Sequence, residues 1–428
     1  AEGSRSLGTI PAPPASLPRC FVNRSVSAHG GCALEKQVKR FAIVAGLAGL
    51  SVSLDVHAED SVAPVIVTAT RTAQTADEAL AAVTVITREQ INASQAKDVA
   101  ELLRFEAGID IARNGGPGQQ TSVFLRGTDS NHTLVLIDGV RVNPGTIGAP
   151  AWQNIDPAMI DRVEIVRGPR STLYGSDAIG GVIQIFTHRA TTGTRVTASA
   201  GGGTFDSQDG AIGAHHASSH WRAGADVSRQ VSDGYPARTD ATTDSGYNNT
   251  SINAYGGLTF GAFDAELSHW QASGRTAYHD FLLLPLSQDF SNRKTALAIK
   301  ATPITPWVTI LRVGQARDHI DQVQNNDFAH TDRTSVDWQN DLQLGRHNLL
   351  TLGAYQADEH TEALSYGTQF DVDTETRALY AQDQLQLGAN SLLAAWRTTR
   401  HETFGTHHTG ELSYGYQFSH AVRAYASY

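Results

Sequence analysis

Three groups of residues in this 428-residue chain have types and spacings that could do chemistry. The run RGPRSTLYGSDAIGGVIQIFT, Arg167 to Thr187, carries glycines at 168, 175, 180 and 181, and the step from Gly175 to Gly180 is that of a phosphate-binding loop. Two histidine pairs, His215-His216 and His407-His408, offer imidazole ligands to a metal. The acids Asp240, Asp244, Asp280 and Asp289 lie in polar stretches where oxygen ligands could gather around a hard cation.

The first group fails on its neighbours. A phosphate loop needs Lys and then Ser or Thr directly after its second glycine, to reach the phosphates and a magnesium ion. Here Gly181 and Val182 stand there. A dinucleotide fingerprint must open a helix, whereas this run leads into the β-rich Val182–Thr187. Neighbouring side chains on a strand point to opposite faces, so neither histidine pair can chelate from one side, and both read as solvated. The chain has neither a GxSxG elbow nor an HExxH helix motif. These readings together give no enzyme.

Composition narrows the class. Charged residues make up 18% and apolar ones 40%, with a net charge of -10, which disfavours a nucleic-acid partner. A mean hydropathy of -0.26 and the lack of an 18-residue apolar run exclude a helical membrane protein. Residues 34–58 read as a secretory signal peptide: basic Lys36, Lys39 and Arg40, the apolar run Phe41–Leu54, then Val56-His57-Ala58. Residues 1–33 are Pro- and Ser-rich and are expected to be an over-called leader, with translation starting near Leu34. Both cysteines, Cys20 and Cys32, lie there, so no disulfide is expected in the mature chain. Removing residues 1–58 takes away six basic and three acidic side chains and leaves -13.

The remainder has two textures. Up to about residue 190 the periods are mixed. Thr87-Arg88-Glu89-Gln90 has the form of a capping box, a second helix is expected near Ala96–Phe105, and strands near Val83–Thr87, Ser122–Arg126, Leu134–Ile137, Val163–Val166 and Val182–Thr187. This is a compact α+β domain. From 191 onward the helix signals stop and segments alternate in polarity, as in RALYAQDQLQLG, where Leu379, Ala381, Leu385 and Leu387 share one parity. Thirteen strands are expected, beginning near 194, 207, 219, 248, 262, 292, 306, 333, 347, 373, 389, 408 and 420. Short turns alternate with long polar loops at Val231–Tyr247, Gly274–Ser291 and His319–Asp332. That asymmetry is the signature of an outer-membrane β-barrel, with Trp221, Trp270, Trp307, Trp338, Tyr355, Tyr380 and Trp396 as its interfacial girdle. Bacterial barrels close with even strand numbers, so the chain is expected to be a fragment lacking C-terminal strands.

Specific stretches then resemble a known family. APVIVTATR, Ala63–Arg71, is similar to the TonB box of TonB-dependent outer-membrane receptors, here Pro64, Val65, Ile66, Val67, Thr68 and Ala69. VTVITREQI, DVAELLRFEAGIDI, SVFLRG, LVLIDGVRV and IDRVEIVRGPRSTLYGSDAIGGVIQIFT follow in the order of that family's plug domain. Within the family, RNGGPGQQTSVFLRGTDSNHTLVLIDGVRVN is most similar to the cobalamin (vitamin B12) transporters. The resemblance implies a box segment at 59–75, a plug at 76–190 and a partial barrel at 191–428, about 13 of 22 strands.

The same resemblance implies cobalamin transport across the outer membrane of a Gram-negative bacterium by a monomer seated in lipid. The partner TonB would supply the energy by pairing with the box as an added strand. It also implies ligand contacts from Gln120, Ser122, Asp129, Ile147 and Gly148; no cofactor or metal is expected, and Asp280 would be a metal residue only if calcium is bound. The alternatives are a ferric siderophore as ligand, which would share plug and box, and a passive porin, which would lack both.

Overall fold

The computed structural model describes residues 66–67, 71–72, 74–75, 79–280, 282–419 and 422–428. Residues 1–33, the signal peptide, both cysteines, and Pro64, Val65, Thr68 and Ala69 of the box lie outside them.

The N-terminal part opens on a small antiparallel pair, β1 (Ile66–Val67) with β2 (Gln74–Thr75). Next come β3 (Ala82–Ile86) and α1 (Arg88–Ser94). Thr87 caps α1 and exchanges hydrogen bonds with Gln90, the reciprocal box its sequence indicates. The second helix, α2 (Val99–Leu103), is half the expected length, because the Asp98 carboxylate takes the Glu101 N–H and starts the helix there.

Strands β4 (Ile109–Arg113) and β5 (Thr121–Leu125) form a hairpin. After them come β6 (Thr133–Ile137), β7 (Val140–Arg141), β8 (Ile160–Arg167), the one-turn α3 (Ser171–Tyr174) and β9 (Gly181–Thr187). The sheet order is β3-β8-β9-β6-β7, with β6 and β9 parallel. Its core, with α2, gathers Val99, Leu103, Val135, Ile137, Trp152, Ile165 and Ile183, all fully buried.

The run Arg167–Thr187 thus turns out of β8 through Gly168-Pro169, makes α3 and returns into β9. Gly181 sits at φ +153° and a Cβ there would lie 2.2 Å from the Val166 carbonyl oxygen, so only glycine fits at this return. The phosphate-like spacing is structural.

Residues 193–427 form one 13-stranded antiparallel sheet in chain order, the number its alternation predicts. Its strands are β10 (Gly193–Gly202), β11 (Gln208–Ala217), β12 (Trp221–Ser232), β13 (Tyr247–Phe260), β14 (Phe263–His279) and β15 (Pro285–Ile304), then β16 (Trp307–Gln322), β17 (Phe328–Gln343), β18 (Asn348–Ser365), β19 (Thr368–Leu387), β20 (Asn390–His401), β21 (Gly405–Ser419) and β22 (Val422–Ser427). One face is apolar and exposed: Leu267, Leu297, Val313 and Val336 stand in register across four strands. The other face is polar and covered by the N-terminal domain, with Asn249, Ser251, Asn253, Lys294 and Thr331 buried. Apolar out and polar in is the arrangement of a wall between lipid and a wet lumen.

Two expectations change. The long loops shrink, since β14 runs to His279, β15 starts at Pro285, β16 reaches Gln322 and β17 starts at Phe328. The girdle loses members: Trp270 and Tyr380, each 3% exposed, face the plug side and Tyr355 lines the inner cavity, whereas Trp221, Trp338 and Trp396 stay about half exposed outside.

Candidate functional site

The β1–β2 pair contains the box residues Ile66 and Val67, opposite Thr75 and Gln74. Four residues past Val67, Arg71 is held in a cage on the wall. Its Nη1 donates to Asp337 Oδ2 at 2.6 Å and to the Tyr380 hydroxyl at 2.8 Å. Its guanidinium lies over the rings of Tyr174 and Tyr380, 4.8 and 4.6 Å from their centroids. Its carbonyl accepts from Gln339 Nε2 at 3.1 Å. Burial pushes the Tyr174 phenol up to about 12, so it faces the cation as a neutral ring. Asp337 and Gln339 lie toward the short-turn end of β17, so Arg71 is held at that end of the wall.

A cavity of about 660 Å³ adjoins this cage, between the domain and the inner faces of β14 to β18. Arg71, Asp138, Arg141, Arg312, Lys300 and Asp337 are among the charged side chains that line it.

At the centre of the interface sits Lys294, with 0% exposure. Its Nζ donates to Asp138 Oδ2 at 2.7 Å and to Ser268 Oγ at 2.9 Å. Asp138 also accepts from the Thr187 N–H and hydroxyl and from Arg189 Nη2. Burial alone would raise the Asp138 carboxyl, but the Lys294 ammonium and the Arg189 guanidinium outweigh it and hold it well below the usual range. The ladder continues through Arg189 to Glu266, then Arg222, then Asp264. Further ties are Arg170 to Glu411, Arg333 Nη1 to the Asn143 carbonyl at 2.7 Å, and Asn154 to Asn292 at 2.9 Å.

The expected ligand residues sit toward the opposite, long-loop rim. Gln120 is exposed at the end of the loop joining β4 to β5, and Ser122 is half-buried on β5. That loop is anchored by Gln119, whose Nε2 donates to the Ala277 carbonyl near the end of β14. Asp129 is exposed and precedes a one-turn 3-10 helix, Ser130–His132. Ile147 is exposed, and Gly148 packs so closely on Asn131 that a Cβ would stand 2.7 Å from its Cβ. The structure therefore brings the Asp129 turn beside Ile147-Gly148, and places Gln120 and Ser122 on the β4–β5 hairpin.

Asp280 accepts from the Leu282 and Leu284 backbone N–H groups. Arg238 and Arg275 engage Asp240 and Asp289 through two nitrogens each. Carboxylates so engaged do not fit the shell of six or more oxygens that calcium takes, and no step here runs through that ion.

The histidine reading is corrected at one position. His215 is 4% exposed and its Nε2 lies 2.9 Å from Asp226 Oδ1, beside His188. His216 does face the other way, toward Thr194 and Trp221, and His407 and His408 are exposed. The sequence reading missed Arg71, Lys294, Asp138 and Asp226, whose partners lie tens to hundreds of positions away. Their one visible signal is polarity at the parity that faces inward.

Comparison with known proteins agrees with this architecture. The sequence model described as the TonB-dependent Receptor Plug Domain matches residues 75–182. The vitamin B12 transporter BtuB of Photobacterium profundum is 30% identical over 407 residues, 91% of this chain and 66% of its own length. Among solved structures, the FrpB iron transporter of Neisseria meningitidis superposes with a TM-score of 0.70 at 15% identity, covering 81% of this chain and 65% of that one. The ferric yersiniabactin uptake receptor FyuA of Yersinia pestis gives 0.66 at 18% identity, covering 81% and 64%. The chain thus spans slightly under two thirds of the length of these relatives. With a domain of the plug type seated against a lipid-facing antiparallel wall, the chain belongs to the family of TonB-dependent receptors, β-barrel proteins of the Gram-negative outer membrane.

Proposed function

We propose that this protein takes up cobalamin across the outer membrane, with energy delivered by TonB through the box Pro64–Ala69. The observation that carries the ligand is the 30% identity to a vitamin B12 transporter across 91% of the chain. The iron and siderophore receptors share the fold at identities of 15–18%, which speaks for architecture and not for ligand. In this reading Gln120, Ser122, Asp129, Ile147 and Gly148 meet the ligand at the loop rim. TonB adds a strand to the box at the other rim, and no chemistry is done on the cargo.

The test is equilibrium binding by the detergent-solubilised full chain of cyanocobalamin against ferric siderophores, with and without a calcium chelator. Saturable cyanocobalamin binding, unchanged by the chelator, is expected. Selective siderophore binding would overturn the ligand and leave the family intact.

A further inference from the structure

Just past the last strand of the plug, three buried donors converge from three separate elements. His188 follows β9 directly, His215 is on β11 and Asp226 on β12, and all three are at most 5% exposed. His188 Nδ1 lies 3.0 Å and His215 Nε2 2.9 Å from the same oxygen, Asp226 Oδ1. The three ligand atoms fall within 4.8 Å of one another. We propose that His188, His215 and Asp226 form a binding site for a divalent transition-metal ion of the zinc class, which bolts the C-terminal end of the plug to the wall.

Several features mark a built site. Asn253 Nδ2 donates to the second oxygen of Asp226 at 2.9 Å and fixes the carboxylate, and Tyr255 stacks on the His215 ring, 5.8 Å between centroids. Such outer partners are what orient metal ligands. The backbone makes room as well. A Cβ at Gly213 would stand 2.2 Å from Asp226 Oδ1, and one at Gly224 would stand 2.3 Å from His215 Nδ1. One side of the cluster opens on a cavity of about 210 Å³ that His188 and Asp226 line with Arg88 and Arg195. It is large enough for a water or anion as fourth ligand.

Two imidazoles and one carboxylate suit zinc, and bonds of about 2.0–2.1 Å place tetrahedral donors about 3.3 Å apart. The donor pairs at 2.9 and 3.0 Å need to open by only a few tenths of an ångström. Metal-free, both imidazoles donate to Asp226, and His188 Nε2 and His215 Nδ1 remain buried without a partner among the described residues. A bolt here would hold the end of the plug that is remote in sequence from the box. This inference does not depend on which ligand is transported.

The full chain in detergent, stripped with a chelator and titrated with Co²⁺ as a spectroscopic stand-in for zinc, tests it. One equivalent is expected to bind with the visible bands of a four-coordinate N/O site, to be displaced by Zn²⁺, and to raise the thermal midpoint reversibly. His188→Gln and Asp226→Asn should each lose the bands and at least tenfold in affinity, whereas His407→Gln should lose neither. His188 lies outside the strands, so its variant is expected to fold even where the Asp226 one does not. Absence of stoichiometric binding to the wild type, or binding equal in wild type and His188→Gln, would leave only a hydrogen-bonded His–Asp–His cluster and overturn the proposal.

Discussion

At the scale of single residues, Asp138 accepts four hydrogen bonds from three partners. It neutralises Lys294, holds Arg189 and caps the end of β9 at Thr187. Removing one member of a buried ion pair strands the other and costs about 3–5 kcal/mol. Asp138→Asn keeps the shape and some hydrogen bonds, so a loss of about 3 kcal/mol is expected, read as roughly hundredfold faster amide exchange in β6 and β9. The pH dependence has a fixed sign. A carboxyl held below its unfolded value contributes in full above about pH 4, and that contribution is lost as pH falls toward the folded value. Wild-type protection should therefore be flat from neutral pH down to about 5 and fail in acid, and the Asn variant should lack this component of the acid loss.

Elements were legible to different depths, and the pattern of success has a physical cause. Strand starts at the short-turn rim fall within two residues of expectation, such as Phe263 for 262, Trp307 for 306 and Asn348 for 347. At the other rim β15 starts at Pro285 where the alternation indicates 292, and β17 and β19 each start five residues early. The apolar alternation fades there, but hydrogen bonding carries the strands on. His319, His330, Glu362 and Asp371 lie in register in that overhang. The candidate site was legible only as a set of loops, because its ion pairs join residues such as Arg71 and Asp337 that no local pattern relates.

Two outcomes belong to elements. Leu297→Arg, in the outward apolar row, should cost about 2–4 kcal/mol of barrel stability in lipid vesicles, and Asp321→Arg in the overhang about 0–1. Equal costs would place the membrane band elsewhere. Ile66→Pro removes a backbone donor from β1 and should abolish energised uptake with ligand affinity unchanged; retained uptake would reject the box as the TonB strand.

For the whole molecule, the topology decides where the plug gives way when its N-terminus is pulled. β3 is an edge strand, paired through five residues to β8 alone, whereas β8, β9 and β6 lie inside the sheet or its parallel pair. A further set of ties to the wall lies later in the chain, at Asp138, Arg189 and His188. Local elements open at less than the global free energy, so traction on the box should first free Arg71 and then peel β3. The cavity of about 660 Å³ beside Arg71 would widen while the rest of the plug holds.

Val83 and Val166 face each other across β3 and β8. Cross-strand Cβ atoms stand about 4.5–5.5 Å apart, close enough for a disulfide after a small adjustment. The double variant Val83→Cys/Val166→Cys, made with Cys20 and Cys32 replaced by serine, should bind ligand normally whether oxidised or reduced. Energised uptake into whole cells should stop when the bridge forms and return on reduction. Uptake that continues through the closed bridge would show that β3 stays on the sheet, and that passage is opened by displacement of the whole plug.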